Sequence, residues 1–216
     1  MKKRFILVCL AALLLVAGMI AFVYPELPAR VPLHWNAAGQ ADGWGARHLL
    51  LIYLALLAAT SLLWLVLPLL SPRRFAVDSF EATWWFTGMA MVCLLAYVQC
   101  VHLWAAWKPG LPMERAVLGG IGLFFVLIGN VMGKVRRNFW LGVRTPWTLA
   151  NERVWYATHR LAARTMVAGG LLTLAAALSG LPGQVAVAAL IVAALVPVVF
   201  SLVYYKRLER AGTLEA

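Results

Sequence analysis

Negative charge is what this sequence has least of: Asp and Glu number 8, against 19 Lys and Arg, in 216 residues. Charge of either sign makes up only 12% of the chain, and 63% is hydrophobic. That balance excludes a soluble globular protein, whose surface needs far more polar side chains, and it leaves no segment able to form a separate soluble domain. Cysteine is also sparse. Cys9, Cys93 and Cys100 all lie in apolar runs. Cys93 and Cys100 are two helical turns apart, too far along the axis for a disulfide, so all three read as small packing residues. The chain has no His-Glu-x-x-His, no serine nucleophile elbow, no phosphate loop and no carboxylate pair within an apolar run. It therefore reads as a non-enzyme with no cofactor and no metal. The net charge of +11 comes with no nucleic-acid recognition motif, so direct nucleic-acid binding is not expected.

What the chain does have is apolar runs of membrane length. At about 20 residues per spanning helix, they read as six spans, over 5–24, 48–70, 84–107, 114–133, 164–181 and 185–205. The first follows Lys2, Lys3 and Arg4 as a signal peptide would. It is too long for a signal core, however, and no small-x-small site stands before Pro25, so it reads as an uncleaved span. Lys108-Pro109-Gly110-Leu111-Pro112 and Ser179-Gly180-Leu181-Pro182-Gly183 break the chain where turns are needed. Of the 19 basic residues, only Arg30, Arg47, Lys108 and Arg115 fall on the outer side if the N-terminus is inside. The positive-inside rule then puts both termini in the cytoplasm. The expected fold is all-α: a polytopic membrane protein, a bundle of about six transmembrane helices. Residues 1–70 form a two-span unit and 71–216 a four-span unit containing an inner loop over 134–164.

Helices in lipid pack through small residues. Gly119, Gly122, Gly129 and Gly133 in the fourth span, with Gly169, Thr173, Ala176 and Gly180 in the fifth, mark these two as the central helices. Packing within the chain is preferred over a dimerisation face, and the oligomeric state stays open.

The outer loop carries Pro25, Pro28 and Pro32, which enforce an extended path, then turn residues from Asn36 to Gly39 and at Asp42-Gly43. His34 is expected at the tip of a short arm flanked by Trp35 and Trp44 at headgroup depth. His34, Asp42, His48 and His102, with Glu26 nearby, match no metal signature and read as a hydrogen-bonded lid. Gln99 and His102 sit three apart near the outer end of the third span, facing the bundle as a ligand pair or as interhelical glue.

The inner loop is richer. Asn130 is followed by Lys134, Arg136, Arg137, Asn138-Phe139-Trp140 and Arg144-Thr145-Pro146-Trp147. Pro146 requires a turn at Thr145, and a helix restarts with Thr148 or Asn151 as its cap and Glu152 in its first turn. Arg153, Arg160 and Arg164 then share a stripe, beside a face carrying Glu152, Trp155, Tyr156 and His159. Two readings stay open: an interfacial helix whose arginines meet lipid phosphates, or a docking or anion site built from Arg144, His159 and Arg160.

Gly129-Asn130, Asn138-Phe139, Gly142-x-Arg144-Thr145-Pro146-Trp147-Thr148-Leu149, Trp155 and Thr158-His159-Arg160 together resemble the SdpI immunity-protein family of bacterial membrane proteins. Leu27-Pro28, Val31-Pro32-x-His34-Trp35-Asn36, Gly39, Asp42-Gly43 and Trp44 resemble the domain of unknown function often found at the start of that family. Ala150 and Ala162-Ala163 depart from the pattern. The resemblance implies an immunity or signalling protein. Its partners would be membrane lipids, a membrane-active peptide toxin on the outer face and a repressor held on the cytoplasmic face. The alternative is a small inverted-repeat transporter, since both rich loops combine Pro, Trp and His after the first span of each half. Further off is a membrane-embedded enzyme using His159 and Glu152.

Overall fold

A computed structural model describes residues 1–36, 39–108 and 110–214. Ala37 and Ala38 of the expected outer turn, and Pro109 of the expected break, lie outside the described residues, as does the side chain of Arg74. The described elements are helices α1 (Lys2–Val23), α2 (Leu51–Val66), α3 (Glu81–Trp107), α4 (Met113–Met132), α5 (Pro146–Ala150), α6 (Glu152–Ser179) and α7 (Gly183–Arg210), with strands β1 (Arg30–Trp35) and β2 (Ala41–Ala46) between α1 and α2. Six of the helices, all but α5, are long and apolar enough to cross a membrane when taken with their flanking 3-10 turns, α2 for instance over Arg47–Leu70. Their outward faces are aliphatic, as lipid contact requires: Leu14 is 73% exposed and Leu178 86%.

Proline and glycine set the ends. Pro25 turns the end of α1 into a 3-10 turn over Tyr24–Glu26, and Pro68 does the same after α2 over Leu67–Leu70. Gly180, at φ 72°, supplies the left-handed cap of α6, which a residue with a Cβ adopts poorly. One expectation needs correcting. The fifth spanning helix begins not near 164 but at Glu152 and runs unbroken through 28 residues. At about 1.5 Å per residue it exceeds the ~30 Å hydrocarbon thickness, so its N-terminal turns project into the basic loop.

Among the described residues, the departure from an all-helical bundle is the hairpin. β1 and β2 pair antiparallel, with Pro32 opposite Trp44 and His34 opposite Gly43, and register shifts occur on both sides of His34. The extended path required by the prolines thus closes on itself as a two-stranded ribbon. Gly43 is needed there, since a Cβ on it would lie 2.8 Å from the Cβ of His34.

The C-terminal half is built on close backbone contact. A Cβ on Gly170 would meet the Gly122 carbonyl at 2.6 Å, and one on Gly129 would meet the Val167 nitrogen at 2.8 Å, so α4 and α6 approach where only glycine fits. The next face of α6 meets α7: Gly169 lies against Ala189 and Ala193, while the Thr165 and Thr173 hydroxyls donate across to the carbonyls of Ala193 and Ala186. Gly119 and Gly133, expected on the same stripe, have no comparable neighbour. In the first half α1 packs mainly along α3, and α3 bridges to α4. The two halves are therefore packed differently: α4 lies along its successor α6, whereas α1 lies along α3 and only lightly on α2. Of the cysteines, Cys9 is buried, while Cys93 is exposed on the lipid side and is no packing residue.

If these contacts hold the half together, Gly170→Leu lowers the thermal midpoint in detergent by an amount equivalent to about 2 kcal/mol or more, the range for overpacking. Gly119→Ala, whose nearest neighbour is 4.0 Å away, leaves it unchanged.

Candidate functional site

The irregular chain between α4 and α6 is held by buried polar side chains, because its backbone cannot rely on helical bonds. Asn138, with no exposed surface, is the first anchor. Its amide nitrogen donates to the carbonyls of Arg136 (2.8 Å) and Leu141 (3.0 Å), and its oxygen accepts from the amides of Trp140 (2.7 Å) and Leu141 (2.8 Å). His159 is the second. Fully buried and stacked on Trp155 at 4.0 Å, it donates from Nδ1 to the Trp155 carbonyl (2.8 Å) and accepts the Val143 amide at Nε2 (3.1 Å). A carbonyl can only accept and an amide can only donate, so the ring is the neutral Nδ1–H tautomer. The Trp155 indole donates to the Val135 carbonyl at 2.8 Å. Gly142 passes over His159 at φ 110°, where a Cβ would lie 2.2 Å from Nε2.

Thr145, not Thr148, caps the short helix α5: its hydroxyl accepts the Thr148 amide while the Thr148 hydroxyl accepts the Thr145 amide, a reciprocal capping box. Asn151 caps α6 as expected, accepting the Val154 amide at 3.1 Å, and its amide nitrogen donates to the Leu214 carbonyl at 2.7 Å. Three further contacts tie the loop to the bundle. The Thr145 and Ser201 hydroxyls lie 3.0 Å apart, the Trp140 indole donates to Ser71 Oγ at 2.7 Å, and Phe139 packs on Phe75.

The anion site drawn from Arg144, His159 and Arg160 is not assembled. Both ring nitrogens of His159 are engaged inside the fold, Arg144 donates to the Phe139 carbonyl, and Arg160 is exposed. Arg153 and Arg164 are exposed with Arg160 on the α6 surface, as an interfacial helix requires. Arg136 donates to the Tyr156 hydroxyl at 2.8 Å, and Arg137 lies 3.7 Å from Glu152. Asn130 is exposed, Pro146 is exposed and Trp147 half-buried.

At the opposite end of the bundle the hairpin stacks on the helices at His102. His102 is sandwiched between Trp35, at 5.1 Å and 8° from parallel, and Tyr53, at 5.4 Å. Gln99 donates to the Tyr53 carbonyl at 2.7 Å, so it serves as interhelical glue. His34 pairs with Asp42 at 2.5 Å on the exposed face, His48 is exposed, and Glu26 accepts from the Trp107 indole. The histidines are thus dispersed. No three His, Cys, Asp or Glu side chains are grouped for a metal ion among the described residues. Asn36 bonds to the Gln40 backbone, and Trp44 is 56% exposed. Beneath β1 lies a groove of about 520 Å³, walled by the first turns of α4 and α7 and by His102.

Several participants were not singled out by sequence reasoning: Ser71 and Ser201, which clamp the basic loop, and Glu114, which stands at the mouth of the groove. Gly142 and Thr148 stood in the motif, but with no role as contact residues. The glycine before the Arg-Thr-Pro turn was the available signal, since a left-handed position is what would require it.

Comparison with known proteins matches this architecture. Residues 134–205 match the SdpI/YfhL protein family, and residues 9–60 match a domain of unknown function, DUF1648. The chain is 27% identical over 213 residues to the immunity protein SdpI of Bacillus subtilis (strain 168), covering 97% of this chain and 99% of that one. No solved structure matches. The resemblance read from the motifs is borne out: the chain is similar end to end to immunity protein SdpI, its residues 134–205 match the SdpI/YfhL protein family, and its six apolar helices make it a multi-pass membrane protein.

The Gly142–His159 contact gives a direct test. Gly142→Ala should cost about 2 kcal/mol or more through backbone strain and loss of the Val143 bond, and should open new trypsin cleavage at Arg137 and Arg144 in detergent. Gly133→Ala, with nothing within 4 Å of its Cβ, leaves both the melting point and the cleavage pattern unchanged.

Proposed function

We propose that this SdpI-family membrane protein is a receptor of immunity type in the bacterial cytoplasmic membrane, acting by binding rather than by catalysis. Its hairpin end faces outward and engages a membrane-active peptide toxin. Its basic loop faces the cytoplasm and engages a partner there, a repressor being the kind of protein that membrane-tethered signalling requires. The observation that carries this reading is the end-to-end relationship to immunity protein SdpI, which takes in both the hairpin and the basic loop. The charge distribution supports the orientation, since only Arg30, Arg47, Lys108 and Arg115 of the basic residues belong to the hairpin end.

The division of labour follows from what each end exposes. The hairpin presents Trp44, His34 and Asp42 beside an apolar groove, a surface suited to an amphipathic ligand. The other end presents Arg144, Arg153 and Arg160 on a scaffold fixed from beneath by Asn138 and His159, a surface suited to acidic groups on a protein or to lipid phosphates.

Expression of this chain in a bacterium killed by a secreted membrane-active peptide should raise the lethal dose by about tenfold or more, a shift of ~1.4 kcal/mol in effective affinity. Trp44→Ala should lose that protection, and Arg144→Ala with Arg160→Ala should lose partner recruitment, both at unchanged membrane levels. Unaltered sensitivity to every such peptide tested, with the protein present in the membrane, would contradict the reading.

A further inference from the structure

Beyond Pro32, β1 lies along the groove: Leu33, His34 and Trp35, with Asn36 just after the strand, all line it. β1 has β2 as its one strand neighbour, and among the described residues 31–35 make no backbone hydrogen bond to any other element. The opposite wall is aliphatic, from Val117 and Leu118 of α4 to Val187 and Ile191 of α7, and the last two are exposed on the lipid side. The Nδ1 of His102, in the same wall, is enclosed and has no hydrogen-bond partner among the described residues.

One formal charge stands in this lining, the carboxylate of Glu114. It is half-buried against the first turn of α7, where a Cβ on Gly183 would collide with Oε1, and it makes no hydrogen bond or ion pair with any described residue. The cations of this end are turned elsewhere: Arg47 donates to the Leu27 carbonyl and covers Tyr24, Lys108 lies over the Trp107 ring, Arg115 lies against Gly180, and Arg30 is not in the groove lining. A groove with apolar walls, a free strand edge and one unpaired carboxylate is complementary to an extended apolar segment that carries a cation. A phospholipid fits less well. Its phosphate would enter a site with no Lys or Arg in its lining and one carboxylate already present.

We infer that the groove between β1 and the first turns of α4 and α7 is a peptide-binding site that seats an extended apolar segment along β1, with a lysine or terminal amine of the peptide on Glu114. The inference rests on the receptor reading above and gives it a location. The free edge of β1 offers the peptide backbone hydrogen bonds where the bilayer offers few, and the aliphatic walls take its side chains.

The test uses the full chain in phosphatidylcholine nanodiscs and two fluorescent synthetic peptides that share one apolar sequence, one ending in Lys and its twin ending in Glu. Empty discs report partition into lipid. The protein should bind the Lys peptide about tenfold more tightly than its twin, the fold-change expected of one charge-assisted hydrogen bond. Glu114→Gln should erase the difference and Glu114→Lys reverse it. Leu118→Trp, which fills the groove from α4, should weaken the Lys peptide by a similar factor. Equal binding of the two peptides by the parent protein, or an unchanged preference in Glu114→Gln with an unchanged melting point, would overturn the site. Protection that survives Glu114→Lys would overturn it while leaving the receptor reading intact. Charge-selective binding by a chain that protects no cell would overturn the receptor reading alone.

Discussion

Helices α4 and α6 touch backbone to backbone at Gly122, Gly129 and Gly170, and the geometry of the C-terminal half follows from that contact. In lipid there is no hydrophobic drive between helices, so close approach, dispersion and carbonyl contacts have to hold them. Once the two axes are this near, the chain joining them has little space in which to turn. It leaves α4 at Met132, folds over the projecting turns of α6 and re-enters as α6 at Glu152. Its backbone groups lose their helical partners along the way, and buried Asn138, His159, Trp155 and Thr148 supply replacements. The motif that marks the family is thus first a device for closing a tight connection, and its exposed arginines are what that device presents.

The hairpin end is built by a different means. Stacking of Trp35, His102 and Tyr53 attaches an extended arm to α3 and α2, with the Gln99 amide fixing Tyr53 from below. The two ends nevertheless share α7. Its first turns wall the groove at Val187 and Ile191, and farther along Ser201 holds the Thr145 hydroxyl of the basic loop. One helix thus touches both ends, with Pro197 set between the two contacts.

Much of the bundle was legible in the sequence because its determinants are local. Apolar length gave six spans, Pro25 and Pro182 stand at helix boundaries, and Asn151 caps α6 as its residue type suggested. The contacts that build the two ends depend instead on tertiary placement. His159 reads as an exposed ligand on a helical wheel, but Gly142 packs against its ring and removes it from solvent. The continuous run of α6 from Glu152 was masked by Arg153, Arg160 and Arg164, which broke the apolar pattern although they lie on its outer surface. The prolines of the outer arm required extension but could not specify a partner strand. Glu114 stands in the first turn of α4, where an acid is commonplace, and only the arrival of α7 beside it makes it the charge at a groove.

The functions proposed for the two ends require them to lie on opposite sides of the membrane with the hairpin outward. The direct measurement is labelling by a membrane-impermeant maleimide in intact cells, with Cys9, Cys93 and Cys100 replaced by alanine and a single cysteine introduced by Trp44→Cys or Arg153→Cys. The account predicts that the cysteine at position 44 reacts in intact cells and that the one at 153 reacts only after permeabilisation. The reverse pattern, or labelling of both positions from outside, would contradict it.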